Sequence, residues 1–268
     1  MLKYRIFDKN WTAMPKILEN RLIEEFKDKE AFTREELFQF YRYFEPELKE
    51  GTFGWRIYDL QNRNIIKPLK RGLYVFSHKI KYQPGISDAL FKIAKQLSEK
   101  FDEVQHCVWD SVWLNEFVQH QSSKSMLFIE VEKGFEESVF YFLKDKWKNE
   151  VFINPDENVI DFYITASNKP VIVKKLLTRA PLIERTEKKV EFYTPSLEKI
   201  LVDIFAEKHL FHYLQGGELM HIYENALNRY TINFTKLFSY AKRRERESEI
   251  KQFMTNHMFH LVKDIIND

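Results

Sequence analysis

Residues 51–85 read GTFGWRIYDLQNRNIIKPLKRGLYVFSHKIKYQPG, and they carry the clearest structural signal in the chain. The stretch holds seven Lys or Arg residues against one acid, Asp59, whereas residues 1–50 hold ten bases and eleven acids. The formal net charge of +2 therefore combines a basic strip with a slightly acidic remainder. Such a strip is typical of a protein that binds a polyanion. Its bases are Arg56, Arg63, Lys67, Lys70, Arg71, Lys79 and Lys81.

The first half of the strip predicts a helix. Thr52 is a candidate N-cap, because a threonine hydroxyl can accept a free N–H of the first helical turn. Phe53, Ile57 and Leu60 recur at helical spacing, so we expect them to form a buried stripe. Trp55 is predicted to pack in the core or against a neighbouring helix. The opposite face of the predicted helix carries Arg56, Asp59 and Arg63.

The second half of the strip predicts a β-hairpin. Two β-rich runs, residues 65–69 and 73–76, flank a turn that contains Gly72, and this arrangement is a hairpin signature. Three bases lie in or beside the predicted turn: Lys67, Lys70 and Arg71.

Two more helices are predicted upstream of the strip. The sequence Thr33-Arg34-Glu35-Glu36 is a capping box, in which the side chains of the first and last residues bond each other's backbone N–H. It leads into the apolar positions Leu37 and Tyr41, and an earlier apolar face consists of Ile17, Leu18, Leu22, Ile23 and Phe26. Three helices followed by a basic hairpin predict a winged helix-turn-helix domain over residues 1–82.

This domain predicts binding to double-stranded DNA. The third helix would enter the major groove, where Arg56 and Arg63 could contact phosphates or guanine edges. The hairpin bases would hold the adjacent DNA backbone. Winged helices also dock other proteins, and a charged helix face is often only solvated. The near absence of acids in the strip favours DNA. The predicted DNA-binding residues are Thr52, Trp55, Arg56, Arg63, Lys67, Lys70 and Arg71.

Composition excludes several classes of protein. The chain of 268 residues is long enough for two domains. No apolar run reaches the roughly 20 residues that a membrane span needs, and no leader pattern opens the chain. The single cysteine, Cys107, excludes an intrachain disulfide framework and is interpreted as a structural thiol. A cytoplasmic protein without membrane contact is expected.

The remainder, residues 86–268, predicts a mixed α/β domain with a helical C-terminal part, so the whole chain is expected to have an α+β fold. The boundary is placed at residues 81–85, where Pro84 and Gly85 interrupt both periodicities. Strands are predicted at residues 104–109, 126–131, 151–153, 159–164, 171–176 and 190–193. Helices are predicted at residues 90–101, 113–119 and 135–147, after a Thr194-Pro195 start, and throughout the chain from Gly216 onward.

Only weak signals of catalysis occur in this second domain. Asp110, Glu130 and Glu132 before Lys133 resemble a metal-dependent nuclease core, but the residue two before Lys133 is Val131. The two glutamates are therefore read as a solvated pair at a strand edge. His209 and His212 have a spacing that could hold a metal, yet half-exposed helix histidines are the simpler interpretation. With no phosphate-binding glycine loop or nucleophile elbow, we predict a non-enzymatic protein without metal or cofactor.

Several short motifs resemble the AbiEi-type antitoxins. Thr52-x-x-Trp55 and the hairpin phrase at residues 70–74 are similar to their N-terminal domain. Residues 192–203 read FYTPSLEKILVD and resemble a "TLEKxLVD" helix start, with Ser196 in place of the threonine. Residues 128–133 and 137–140 are similar to the second domain of the same group.

The resemblance implies an antitoxin of a type IV toxin–antitoxin pair, whose separate toxin is a nucleotidyltransferase. Such antitoxins bind inverted repeats at their own promoter and repress it, and their second domain supports repression and counteracts the toxin. The helical tail with residues 242–246, KRRER, departs from this pattern. We interpret the tail as a salt-bridged helix face, with Arg243 paired to Glu247 and Arg246 to Glu249.

Overall fold

The computed structural model describes residues 16–26, 29, 31–63, 65–76, 82–121, 124–147 and 150–266. The chain has a mixed α+β fold and divides into two compact units between residues 80 and 81. Two bases of the strip, Lys79 and Lys81, lie outside the described residues.

The first unit combines helices with a small antiparallel sheet. Its elements are α1 (Lys16–Phe26), β1 (Phe32–Thr33), α2 (Arg34–Phe44), α3 (Glu50–Asn62), β2 (Ile66–Lys70) and β3 (Leu73–Phe76). The strands form one sheet in the order β1-β3-β2, and β3 pairs antiparallel with both neighbours. The three helices predicted before the hairpin, and the hairpin itself, are confirmed.

Local sequence accounts for the start of α2 but not for that of α3. At α2 the Thr33 hydroxyl accepts the Glu36 N–H at 3.1 Å, and the Glu36 carboxylate accepts the Thr33 N–H at 2.7 Å, so the capping box is confirmed. Helix α3 begins at Glu50 after Lys49, which makes no side-chain cap. Thr52 therefore lies inside the first turn, and its predicted role as the cap is wrong.

The core of the first unit is built from aromatic and aliphatic side chains. Phe53, Ile57 and Leu60 of α3 are buried, as predicted from their spacing. The Phe38 ring lies 4.7 Å from the Phe53 ring, and Phe32 of β1 lies 5.0 Å from Phe76 of β3, measured between centroids. The sheet and the helices thus share one apolar core.

The second unit alternates strands and helices before a helical C-terminal part. Its strands are β4 (His106–Asp110), β5 (Leu127–Val131), β6 (Val151–Ile153), β7 (Val171–Lys175), β8 (Leu182–Glu187) and β9 (Val190–Pro195). Its helices are α4 (Asp88–Lys100), α5 (Glu136–Trp147), α6 (Glu157–Val159), α7 (Leu197–Ala206), α8 (Gly217–Arg229), α9 (Phe234–Arg243) and α10 (Glu247–Ile266). Short 3₁₀ helices cover Ser111–Glu116 and His212–Leu214, and α6 continues into a π-helical turn, Ile160–Ile164.

One mixed sheet organises this unit, in the order β6-β7-β5-β4-β9-β8. Strands β5, β6 and β7 are parallel to one another, and β4 runs antiparallel to β5. Every residue of β4 and β5 is buried, so both faces of the central sheet are covered. Helix α4 lies on the face that carries His106, and α7 lies on the face that carries Glu130.

The secondary structure of the second unit departs from the sequence prediction at three places. Residues 159–164 were expected to form a strand but are helical, because Asp156 caps the segment by accepting the Val159 N–H at 2.8 Å. The buried residues Ile160 and Ile164 are four apart, which is the helical period. Strand β8 was not predicted. Pro195 ends β9 rather than opening α7, which starts after Ser196.

In the described residues, no helix has the length and apolar character that crossing a membrane requires.

Candidate nucleic-acid interface and a buried ionic network

The hairpin presents its bases around an exposed turn. Gly72 has φ +78°, a left-handed conformation that favours glycine. Its carbonyl accepts the Arg34 N–H at 2.7 Å, so the turn lies against the start of α2. Arg71 is exposed in the turn, whereas Lys67 and Lys70 on β2 are half-buried. Lys70 and Arg71 therefore lie at the hairpin turn, whereas Lys67 lies further along β2, opposite Val75.

Arg56 does not lie on the exposed helix face predicted for it. Its residue surface is 6% exposed, and its Nη2 atom donates to both carboxylate oxygens of Glu45 at 2.9 and 2.8 Å. Its guanidinium carbon also lies 5.1 Å from the centroid of the Tyr41 ring. Arg56 therefore fastens α3 to the end of α2, and its predicted contact with the major groove is corrected.

Arg63 is also held within the first unit. Its Nε donates to Asp59 at 2.9 Å, and its Nη2 lies 2.7 Å from the Glu19 carboxylate of α1. A guanidinium shared by two carboxylates has little charge left for a guanine edge. Both arginines that were predicted to contact bases are therefore already paired with carboxylates of the first unit.

The exposed side of α3 instead carries two large aromatic side chains. Trp55 is 62% exposed, so its predicted place in the core is wrong. Its ring meets the Tyr58 ring at 90° with centroids 5.6 Å apart. Gly51 precedes Trp55 by one helical turn and Asn62 follows Tyr58 by another, and both are exposed. These four residues, which we call the α3 stripe, recur at i, i+4, i+7 and i+11.

The charge pattern of α3 points to its arginines and not to the α3 stripe. The helical spacing of the stripe is nevertheless present in the sequence, since residues 51, 55, 58 and 62 share one side of a helix. A depression of about 310 Å³ lies along it, lined by Gly51, Gly54, Trp55 and Tyr58. Thr52 is half-buried behind the stripe.

A buried ionic network occupies the centre of the second unit. Lys199 of α7 is fully buried, and its Nζ lies 2.6 Å from Oε1 of Glu130 and 2.5 Å from Oδ2 of Asp203. Glu130 comes from β5, and Asp203 lies one turn after Lys199 on α7. Charges removed from water are tolerated only when paired and hydrogen-bonded. The network therefore ties α7 to the central sheet.

Two aromatic side chains also donate hydrogen bonds to the buried carboxylates. The Trp109 indole N–H donates to Glu130 at 3.1 Å, and the Tyr240 hydroxyl donates to Asp203 at 2.8 Å. Because Tyr240 lies on α9, the network joins two strands and two helices.

A second layer of charges lies nearer the surface. Glu207 accepts from Lys174 of β7 at 2.5 Å and from Arg244 at 2.6 Å. The Arg244 Nε also lies 3.5 Å from Asp203. The three bases and three acids of the two layers balance, so the network is neutral overall. It consists of Glu130, Lys174, Lys199, Asp203, Glu207 and Arg244.

The pKa values of Lys199 and Asp203 favour their charged forms. Burial lowers the pKa of Lys199, but the carboxylates of Asp203 and Glu130 outweigh it, and the pKa stands well above its ordinary value. Burial raises the pKa of Asp203, yet Lys199 and Lys174 bring it below its ordinary value. Burial raises the pKa of the nearby Cys107 thiol well above its usual range, so this buried cysteine is protonated.

The network explains the charged positions of the phrase at residues 192–203. Helix α7 is buried on all sides, so Lys199 and Asp203 lie inside the protein and pair there. Glu198 accepts the backbone N–H of Asn233 at 2.8 Å and anchors the start of α9. A lysine and an aspartate four apart in an apolar helix are a sequence signal for such pairing.

The residues considered for a metal site have other roles. Glu130 is buried in the network, while Glu132 lies beyond β5 and is exposed, so the predicted edge pair is wrong. His209 pairs with Asp161 at 3.1 Å, and His212 bonds the His209 carbonyl. Within the part of the chain that the structure describes, no three His, Cys, Asp or Glu side chains cluster closely enough for a metal.

The basic tail is engaged with its surroundings. Arg246 pairs with Glu249 at 2.8 Å, as the sequence predicted. Arg243 donates to the Thr178 carbonyl at 2.7 Å rather than pairing with Glu247, which bonds Lys251. Arg244 belongs to the ionic network.

Comparison with known proteins assigns a family but no activity. No curated protein matches the chain. Residues 52–260 match a family described only as a family of unknown function, DUF6577. The match starts within α3 and extends into α10, so it covers the whole hairpin and most of the second unit. The chain belongs to the DUF6577 family.

Proposed function

We propose that the first unit is a winged helix-turn-helix that binds double-stranded DNA. In this proposal α3 enters the major groove, and the hairpin β2–β3 is the wing that lies on the adjacent phosphates. The observation that carries it is the order of elements, α1-β1-α2-α3-β2-β3 with sheet order β1-β3-β2, which is the arrangement of winged helices.

The charge distribution supports DNA as the partner. Residues 64–76 carry three bases and no acid. Arg71 is exposed in the hairpin turn, next to Lys70. Phosphate neutralisation by such residues supplies most of the affinity of a DNA-binding domain.

Docking of a protein is the second candidate function of this unit. The α3 stripe favours it, because exposed tryptophan and tyrosine side chains are enriched at the centres of protein interfaces. The two candidates differ in their response to salt, since a largely apolar interface does not release counterions.

Removal of the hairpin charges is expected to weaken DNA binding in a salt-dependent way. Full-length protein with Lys70→Ala and Arg71→Ala should bind its own upstream DNA more weakly. A plot of log K against log salt should lose a slope of about 0.9 for each lost phosphate contact. Fluorescence anisotropy with the native upstream duplex, beside a scrambled duplex, measures both quantities.

The β8–β9 turn offers a matched control. It carries two exposed lysines, Lys188 and Lys189, in a hairpin turn of the second unit. Their replacement by alanine removes the same charge and should leave the slope unchanged. If the hairpin variant retained the wild-type slope, the wing would not contact DNA.

We further propose that the protein is an autoregulator and antitoxin that counteracts a nucleotidyltransferase toxin. Its support is the resemblance of the α3–hairpin and α7 phrases to the AbiEi-type antitoxins. In this proposal the first unit binds inverted repeats at the protein's own promoter, and the second unit provides the antitoxic activity.

Co-expression tests the antitoxin proposal. Cells that express a nucleotidyltransferase encoded beside this protein should stop growing, and the protein supplied from an unrelated promoter should restore growth. The Lys70→Ala, Arg71→Ala variant should restore growth equally, because it alters only the first unit. Failure of the wild-type protein to restore growth would contradict the proposal.

A further inference from the structure

We propose that α3 reads A·T base pairs, through the α3 stripe, rather than guanine. This inference rests on the proposed DNA-binding function and adds the class of operator to it. Specific contact with guanine normally uses an Arg or Lys side chain that bonds its O6 and N7 atoms, whereas thymine offers a methyl group and adenine suits an Asn or Gln amide.

The two arginines of α3 are not available for guanine. All residues of the helix are described: Arg56 lies within it, Arg63 is its C-cap, and the exposed Lys49 is its N-cap, at the end opposite Asn62. Arg56 is buried against Glu45 and the Tyr41 ring. Arg63 is shared between Glu19 and Asp59. Presenting either guanidinium to a base would break an ion pair within the unit.

The stripe offers the complementary chemistry. Trp55 and Tyr58 are 62% and 54% exposed, and their edge-to-face contact gives them a fixed, wide apolar surface. Gly51 and Gly54 leave the depression beside them, with nothing within 4 Å of a Cβ built on either glycine. A thymine methyl group fits an apolar depression of this kind. Asn62, one turn beyond Tyr58, supplies an amide for the N6 and N7 atoms of adenine.

Affinity and sequence preference are therefore assigned to different elements. The hairpin bases contact phosphates, which carry no sequence information directly, while the stripe contacts base edges. Substitutions in the stripe should change which DNA is preferred, and substitutions in the hairpin should change only how tightly all DNA is bound.

Selection from a random duplex library tests the preference, with the full-length chain as bait. The wild-type pool should be enriched in A·T pairs at its core positions, with about a tenfold loss of affinity for each contacted pair changed to G·C. The variant Trp55→Ala, Asn62→Ala should lose this enrichment but keep the wild-type salt slope and melting temperature, because both side chains are exposed. The Lys70→Ala, Arg71→Ala variant should keep the enrichment.

Base analogues separate direct contact from DNA shape. Deoxyuridine in place of thymidine removes only the methyl group, and should weaken wild-type binding several-fold while leaving the Trp55→Ala, Asn62→Ala variant unaffected. An A·T preference that survives in this variant would reflect shape readout and would overturn the inference. A guanine-rich selected core would overturn it too. Absence of binding to any duplex would instead overturn the proposed function itself.

Discussion

Replacement of Lys199 by methionine is expected to lower the free energy of unfolding of the protein by about 3–5 kcal/mol, because it removes the ion-pair partner of the buried Glu130 and the nearest one of the buried Asp203. Methionine has a similar volume, so the loss reflects charge rather than a cavity. Glu130 is 2% exposed and Asp203 is 1% exposed, so water cannot solvate either in place of the ammonium group. The result should appear as a large fall in the denaturant midpoint measured by circular dichroism.

A neighbouring lysine provides the control for this experiment. The side chain of Lys208 is 60% exposed and lies 3.9 Å from Glu249, so Lys208→Met should change the stability by no more than about 0.5 kcal/mol. Adding Glu130→Gln and Asp203→Asn to Lys199→Met removes the unpaired charges and should recover part of the loss. Equal stability of the Lys199→Met and Lys208→Met proteins would contradict the assigned role of the network.

Replacement of Arg56 by alanine is expected to destabilise the first unit by about 2 kcal/mol, since it removes a buried partner of Glu45 and the contact with Tyr41. The value is below that for Lys199 because Glu45 is 39% exposed at its side chain and water can partly replace the lost bonds. Thermal unfolding followed by circular dichroism measures it.

This expectation differs from the one that the sequence alone suggests for Arg56. If Arg56 contacted a base, its alanine variant would be as stable as the wild type and would lose affinity for the cognate duplex alone. Arg42 of α2 is an exposed control, whose replacement by alanine should leave the melting temperature nearly unchanged. A stable Arg56→Ala protein with a selective binding defect would contradict its buried position.

Local sequence signals predicted the secondary structure where the neighbouring residues alone stabilise it. The capping box of α2 is complete within four residues, and the hairpin turn depends on the left-handed conformation of Gly72. Such contacts need no distant partner. The segment at residues 159–164 was mispredicted because its apolar content fits a strand as well as a helix, and the cap from Asp156 was not recognised.

The candidate site was predicted less well than the secondary structure. Lys67 and Lys70 lie on β2 and Arg71 lies in the turn that follows it, as expected for a hairpin. The charge pattern alone predicted that the two arginines of α3 face solvent. Instead each forms an ion pair with a carboxylate from another part of the first unit, Arg56 with Glu45 and Arg63 with Glu19. The sequence places Glu45 and Arg56 eleven residues apart and does not reveal that they meet.

The three helices and the hairpin of the first unit, and the mixed α+β class, follow from the sequence, because periodicity, capping and turn residues act over a few positions. Which charges face solvent follows from packing between distant elements. Glu130 and Lys199 are 69 residues apart, and they pair because β5 and α7 pack face to face in the second unit. Burial makes that pairing strong. In the first unit, the pairing of Arg56 with Glu45 keeps the arginine buried, and Trp55 and Tyr58 lie on the surface of α3 instead.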